Sequence, residues 1–246
     1  MRQEKQFKSG LQARQRGSAL VYILIAIALL AALTVTFMEP SSQQTSSQSG
    51  FRTGASIQGQ IDVIRSAIQE CVLRYPNGDL TIDNTGGGTD PGARREYPIN
   101  PNSSHLPASL RSGDRLVRNL RCPGNNPGNP NESQHAPVFG GNTGKFMPAA
   151  PELFEEWQYY NGADGVFFWT RTDRADAYLQ STLERLDERF SLCEADVITA
   201  GGSAVDMDSN TPDVAVCPAN NICFRVWMIQ NPSAVFQAGS DEAAGC

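Results

Sequence analysis

Asp206, Asp208, Asn210 and Asp213 place four oxygen-bearing side chains in the run Asp206-Met207-Asp208-Ser209-Asn210-Thr211-Pro212-Asp213, the kind of cluster that a hard cation such as calcium binds. Laid over a calcium loop, the run has Thr211 where the sharp turn takes glycine and Cys217 where a bidentate glutamate closes the shell. An acidic turn without metal is the competing reading. The six cysteines, Cys71, Cys122, Cys193, Cys217, Cys223 and Cys246, offer a second chemistry. No two have C-x-x-C spacing, and the only histidines, His105 and His135, fall in separate loops, which speaks against zinc and for disulfides. Six cysteines allow 15 pairings, and among them Cys217 with Cys223 is the plausible short-loop pair.

Catalysis needs a nucleophile, a base within reach and a group orienting that base. The chain contains no G-x-S-x-G, no H-E-x-x-H and no phosphate loop, and Gly86-Gly87-Gly88 lies between threonines rather than before Lys and a helix. Glu155-Glu156 and Asp187-Glu188 read as solvated surface. Trp157, Tyr159, Tyr160, Phe167, Phe168 and Trp169 line either a ligand groove or, more in keeping with their type, a core. No enzymatic activity and no resident cofactor beyond a possible calcium ion are expected.

The elements that must carry these residues begin with an asymmetric N-terminus. The net charge of the 246 residues is −6, but Arg2, Lys5, Lys8, Arg14 and Arg16 face only Glu4 in the first seventeen. From Ser18 onward 15 basic and 25 acidic residues remain, a net charge of −10, which would repel a phosphate backbone and disfavours nucleic acid as a partner. Ser18 to Met38 carries no charge, and as a helix it is expected to cross the ~30 Å hydrocarbon core of a membrane. Basic residues before it place residues 1–17 in the cytoplasm and the remainder outside, in an oxidising compartment that permits disulfides. Three readings compete: a cleaved secretory signal, an uncleaved anchor, and a leader cut before the apolar run. The run is longer than an ordinary signal h-region, and its Ala26-Ile27-Ala28 is buried in the middle, which disfavours the first.

Gly17 abuts the apolar run after the short basic stretch Gln12-Ala13-Arg14-Gln15-Arg16, and a small residue, Ser18, follows it. This junction resembles a type IV prepilin leader, over residues 10–40 closely and over the following helix loosely. The resemblance implies cleavage after Gly17 by a prepilin peptidase and methylation of Ser18. The mature chain would then be a pilin-like or pseudopilin-like subunit that joins sister subunits and an inner-membrane assembly platform, in a type II secretion or type IV pilus-type filament. Members usually carry a glutamate, thought to pair with a neighbour's N-terminal amine, where this chain has Tyr22. The tip pseudopilin of type II secretion also lacks it, so Tyr22 suits a minor or tip subunit better than a repeated shaft subunit. The resemblance further implies that Cys246 staples the C-terminus to the fold, and that calcium in a C-terminal loop is conceivable. The alternative from a different class is an uncleaved, single-pass, membrane-anchored periplasmic ligand-binding protein.

The expected organisation is a leader over 1–17, a transmembrane or filament-core helix over 18–38, a polar spacer or helix continuation over 39–53, and a periplasmic domain over 54–246. Pro40 ends or kinks the apolar helix. Ile57, Ile61, Ile64, Ile68, Cys71 and Tyr75 recur at spacings of four and three, the mark of an amphipathic helix that Pro76-Asn77-Gly78 terminates. Residues 76–150, rich in Gly, Pro and Asn, predict long loops, with a short helical or extended piece near Leu106 to Leu120. Glu152 to Tyr160 predicts a short helix, Val166 to Trp169 a strand, and Leu179, Leu183, Leu186 and Phe190 a helix starting at Thr172 or Asp173. Cys223 to Ile229 predicts a buried strand with Phe224, Val226 and Met228 on one face and Arg225, Trp227 and Ile229 on the other. The fold class expected from all this is α+β: a long N-terminal helix, membrane-spanning and then amphipathic, packed on a small antiparallel-sheet domain with long loops and disulfide staples.

Overall fold

Aromatic and β-branched runs become strands where alternate side chains can be buried on the two faces of a sheet, and helices where the apolar period is 3.6. A computed structural model describes residues 18–38, 41–80, 82, 94–123, 135–162, 165–191, 193–208 and 215–230. The chain divides into two compact units, Met1–Ser49 and Gly50–Cys246.

The expectation of one long N-terminal helix, membrane-spanning and then amphipathic, is corrected. Two helices are present, α1 (Ser18–Met38) and α2 (Ser41–Arg74), with Pro40, which has no N–H to donate, falling between them in sequence. Side chains of α1 are described from Ala19 to Thr34, about 24 Å of helical rise against a hydrocarbon core of ~30 Å. Among the described residues no helix is long and apolar enough to cross a membrane.

In the second unit, Ile57, Ile61, Ile64, Ile68 and Cys71 are buried along one face of α2, and Tyr75 packs beside them. Pro76 and Asn77 turn the chain, with the Gly78 N–H donating to the Tyr75 carbonyl (2.9 Å). Gly78 has φ +58, and a Cβ there would sit 1.9 Å from the Arg95 carbonyl oxygen, so only glycine fits. The sheet is antiparallel in the order β1 (Gln158–Gly162), β2 (Gly165–Thr172), β6 (Ile222–Gln230), β3 (Ala195–Thr199). Helix α3 (Ala177–Asp187) precedes β3, and the short pair β4 (Val205–Asp206) and β5 (Val216–Cys217) lies between β3 and β6 in sequence.

Both sheet faces are covered. On one, α2 and α3 close over Tyr159, Phe168, Phe224 and Val226. On the other, Met207, Ala215 and Cys217 from the β4–β5 flap cover Tyr160, Phe167, Trp169 and Trp227.

Three local expectations change. Glu152 to Tyr160 is not a helix: Leu153 takes φ 76 in a turn closed by the Phe154 N–H on the Pro151 carbonyl (3.0 Å), and β1 starts at Gln158, because Tyr159 and Tyr160 are buried on opposite sheet faces. Helix α3 starts later than expected, with Asp176 as the residue before its first turn, because Thr172 is still the last residue of β2. The register of β2 on β6 shifts between Val166 and Phe167, which face Ile229 and Trp227 and leave Met228 over as a bulge. Ile229 therefore packs with Met228 on the helix side, not with Trp227.

Candidate functional site

The prepilin-like junction starts where description starts. Gly17 lies outside the described residues, and Ser18 is the first residue of α1. The α1 sequence is apolar on every face, so no stripe of it is set aside for solvent. Leu20, Val21, Tyr22, Ile23, Leu24, Ile25, Ile27, Leu29, Leu30 and Leu33 are all exposed, between 50 and 71%. Scattered exposed leucines need no explanation, but ten along one helix form a contiguous patch of the kind that marks an interface. Covering them would contribute on the order of 10 kcal/mol. Tyr22, where the prepilin pattern has glutamate, is 71% exposed.

The candidate calcium ligands are only partly described: Asn210 and Asp213 lie outside the described residues. The Asp206 Oδ1 accepts from the Asp208 N–H (3.0 Å), and the fully buried Asp208 carboxylate accepts from the Ala215 N–H. The two acids thus brace the flap loop, whose ends also meet through the Met207 N–H on the Ala215 carbonyl (2.8 Å). Among the described residues no group of His, Cys, Asp and Glu could hold a metal ion.

The cysteines do come together. Cys71 at the end of α2 is bonded to Cys122, and Cys217 in β5 to Cys223 in β6, the short-loop pair expected from spacing. Cys193 is also disulfide-bonded. Cys246 lies outside the described residues.

The six aromatic candidates are core: Trp157, Tyr159, Tyr160, Phe167, Phe168 and Trp169 are each at most 2% exposed. Trp157 donates its indole N–H to Gln60 Oε1 (2.6 Å), and Tyr159 its hydroxyl to the Pro98 carbonyl (2.9 Å). Burial pushes the Tyr159 hydroxyl well above its ordinary pKa. Glu155 and Glu156 pair at the surface with Arg171 (2.7 Å) and Arg118 (2.6 Å).

Two buried polar pairs have no forerunner in the sequence analysis. Arg225 lies under the flap, donating through Nε and Nη2 to Asp196 Oδ2 (2.9 and 2.8 Å) and through Nη1 to the Met207 carbonyl (3.1 Å). The Trp227 indole N–H donates to the same Asp196 oxygen (3.2 Å), and the guanidinium lies 4.7 Å from the Trp227 ring centroid. A lone arginine inside an otherwise apolar strand was the available signal, since a buried charge must find a partner. His135 Nε2 lies 3.4 Å from Asp79 Oδ2, both buried. Burial pushes the His135 pKa down, against the opposing pull of Asp79. No sequence signal links these two residues, which lie in different loops.

The arrangement offers two things chemically: an apolar helix with exposed large side chains, and a disulfide-bonded sheet unit whose buried Arg225 is matched by Asp196. The chain matches no protein-family model, no curated protein and no solved structure.

Proposed function

We propose that the chain is a minor pilin-like or pseudopilin-like subunit, cut after Gly17 by a prepilin peptidase, methylated at Ser18, and assembled into a type II secretion or type IV pilus-type filament. The observation that carries this reading is α1: an uncharged helix that begins at Ser18 and exposes its large apolar side chains all along its described length. A helix that is apolar all round is stable where it is surrounded, and sister subunits packing their own α1 helices would surround it. The disulfides support a periplasmic place for the second unit, with the basic leader on the cytoplasmic side of the inner membrane, where the assembly platform and peptidase act. Tyr22 in place of the pairing glutamate fits a minor or tip position.

The test is the intact mass and N-terminal sequence of the chain from cells with and without an active prepilin peptidase. A chain starting at methylated Ser18 only when the peptidase is active supports the reading, and Gly17→Val should abolish that product. A chain starting at Met1 in both strains sinks it.

A further inference from the structure

The acidic charge that follows Gly17 is not evenly spread. Residues 94–121 hold six of the 15 basic residues, Arg94, Arg95, Arg111, Arg115, Arg118 and Arg121, against Glu96 and Asp114. This stretch is therefore +4, while nine basic and 23 acidic residues leave the rest of the chain from Ser18 onward at −14. It lies along the β1 edge: the Val117 N–H donates to the Trp157 carbonyl (2.8 Å), the Tyr159 N–H to the Arg115 carbonyl (2.8 Å) and the Arg94 N–H to Asn161 Oδ1 (2.7 Å).

Elsewhere carboxylates neutralise arginines, as Glu194 does Arg65, Glu155 does Arg171 and Asp196 does Arg225. Arg111 and Arg121 are held instead by carbonyl oxygens. Arg111 donates through Nε to the Leu106 carbonyl (2.8 Å) and through Nη2 to that of Ser104 (3.1 Å), and Arg121 through Nη1 to that of His135 (3.1 Å). A carbonyl fixes the direction of a guanidinium without cancelling its charge. Arg121 also keeps its Nε and Nη2 edge, the fork that takes a carboxylate at two points. Asp114 does not answer them, since it accepts from Ser112 (3.0 Å), Asn119 (3.0 Å) and the Leu116 N–H (3.1 Å). The two guanidiniums flank one strip of chain, because the His135 ring lies against the backbone of His105, beside Leu106. Arg94 adds a third, and its Nε is buried with no hydrogen-bond partner among the described residues. Asn161 Nδ2 ties the Arg94 carbonyl to that of Pro98 (3.1 Å each), next to the Ile99 N–H bond on the Arg121 carbonyl (2.8 Å).

We infer that Arg94, Arg111 and Arg121 form a docking site for a short acidic segment of a partner protein, a loop or terminus carrying a few Asp or Glu side chains. The charge map sets the length of that segment. At physiological salt a charge is felt over about 8 Å, so a short anion meets the arginines. A nucleic-acid backbone or an anionic membrane would run on over the carboxylates around them and be repelled. The site uses no residue of α1 and stands apart from the filament reading.

The test is fluorescence anisotropy of a dye-labelled hexaglutamate peptide titrated with the detergent-solubilised full chain at low salt. Saturable binding should weaken about tenfold or more in Arg111→Gln/Arg121→Gln. It should not change in Arg174→Gln/Arg185→Gln, which removes two exposed arginines outside the stretch. No binding, or equal weakening in the two double variants, overturns the site. Arg111→Lys/Arg121→Lys keeps the charges but loses the forks and should weaken binding about threefold. That variant decides if the glutamine variant does not fold, and an unchanged affinity in it overturns the site. Phosphatidylglycerol vesicles or a thymidine hexanucleotide that bind through the same arginines more tightly than the peptide overturn the choice of an acidic protein segment.

Discussion

Helix α1 and strand β6 are both runs that a hydropathy profile would single out, yet the structure treats them in opposite ways. Every side chain of β6 from Ile222 to Trp227 is buried, by α2 and α3 on one face and by the flap on the other. Even its one charge, Arg225, is matched by Asp196. The large side chains of α1 are at least half exposed. The contrast teaches where each element gets its stability. β6 draws on partners within its own unit, whereas the described large side chains of α1 are left exposed.

The contrast breaks most visibly at the buried ion pair. Asp196→Ala leaves Arg225 enclosed without its counter-charge, and the second unit should lose about 3–5 kcal/mol. All three tryptophans are buried in this unit, so urea unfolding followed by tryptophan fluorescence reads it directly. A loss below about 1 kcal/mol would show that the flap opens and lets water in.

A smaller effect is expected from pH. The folded unit holds His135 below its ordinary pKa of 6.5 through burial, despite Asp79 beside it, so the neutral form is favoured in the fold. The unfolded chain takes up a proton from about pH 6.5 downward while the folded one resists. This stability is therefore complete above pH 6.5 and is lost as pH falls through the lower folded value, by up to about 1.4 kcal/mol per pH unit. The urea midpoint should drop between pH 7 and pH 5 in the parent and stay flatter in His135→Gln. Glu194, whose carboxyl the bonds from Arg65 and Ser191 hold below its ordinary pKa of 4.5 against the opposing effect of burial, weakens only at lower pH, below that ordinary value. The two windows separate.

The smallest stability effect belongs to α1, and it sharpens the comparison. Leu24→Lys, at a position 58% exposed, should move the urea midpoint of the second unit by no more than about 0.5 kcal/mol. The same substitution should abolish cross-linking of the chain to the sister subunits of the proposed filament. A large drop in unfolding stability would mean that α1 is buried within its own molecule after all.

Much of the second unit was legible because its signals are periodic. The isoleucines of α2, the leucines of α3 and the alternation in β6 each repeat at the spacing of their element, and each lies where that spacing puts it. Where two periods can explain one stretch the reading failed: Leu153, Phe154 and Trp157 have a helical spacing, but the chain uses Tyr159 and Tyr160 on two sheet faces. The bulge at Met228 was invisible because it depends on how β2 meets β6, not on β6 alone. At the candidate cation run, the residue types were visible but the use of Asp206 and Asp208 as braces for backbone N–H groups was not.

The sequence by itself determined the charge asymmetry, the uncharged run from Ser18 to Met38, the amphipathic faces and the single short-loop cysteine pair, because each follows from residue type and spacing along a short stretch. Only the tertiary structure decided that Cys71 meets Cys122, that Arg225 finds Asp196, and that His135 is enclosed beside Asp79. The three side-chain pairs join residues 29 to 56 positions apart, and their energy comes from excluding water once the layers close, which no local pattern encodes.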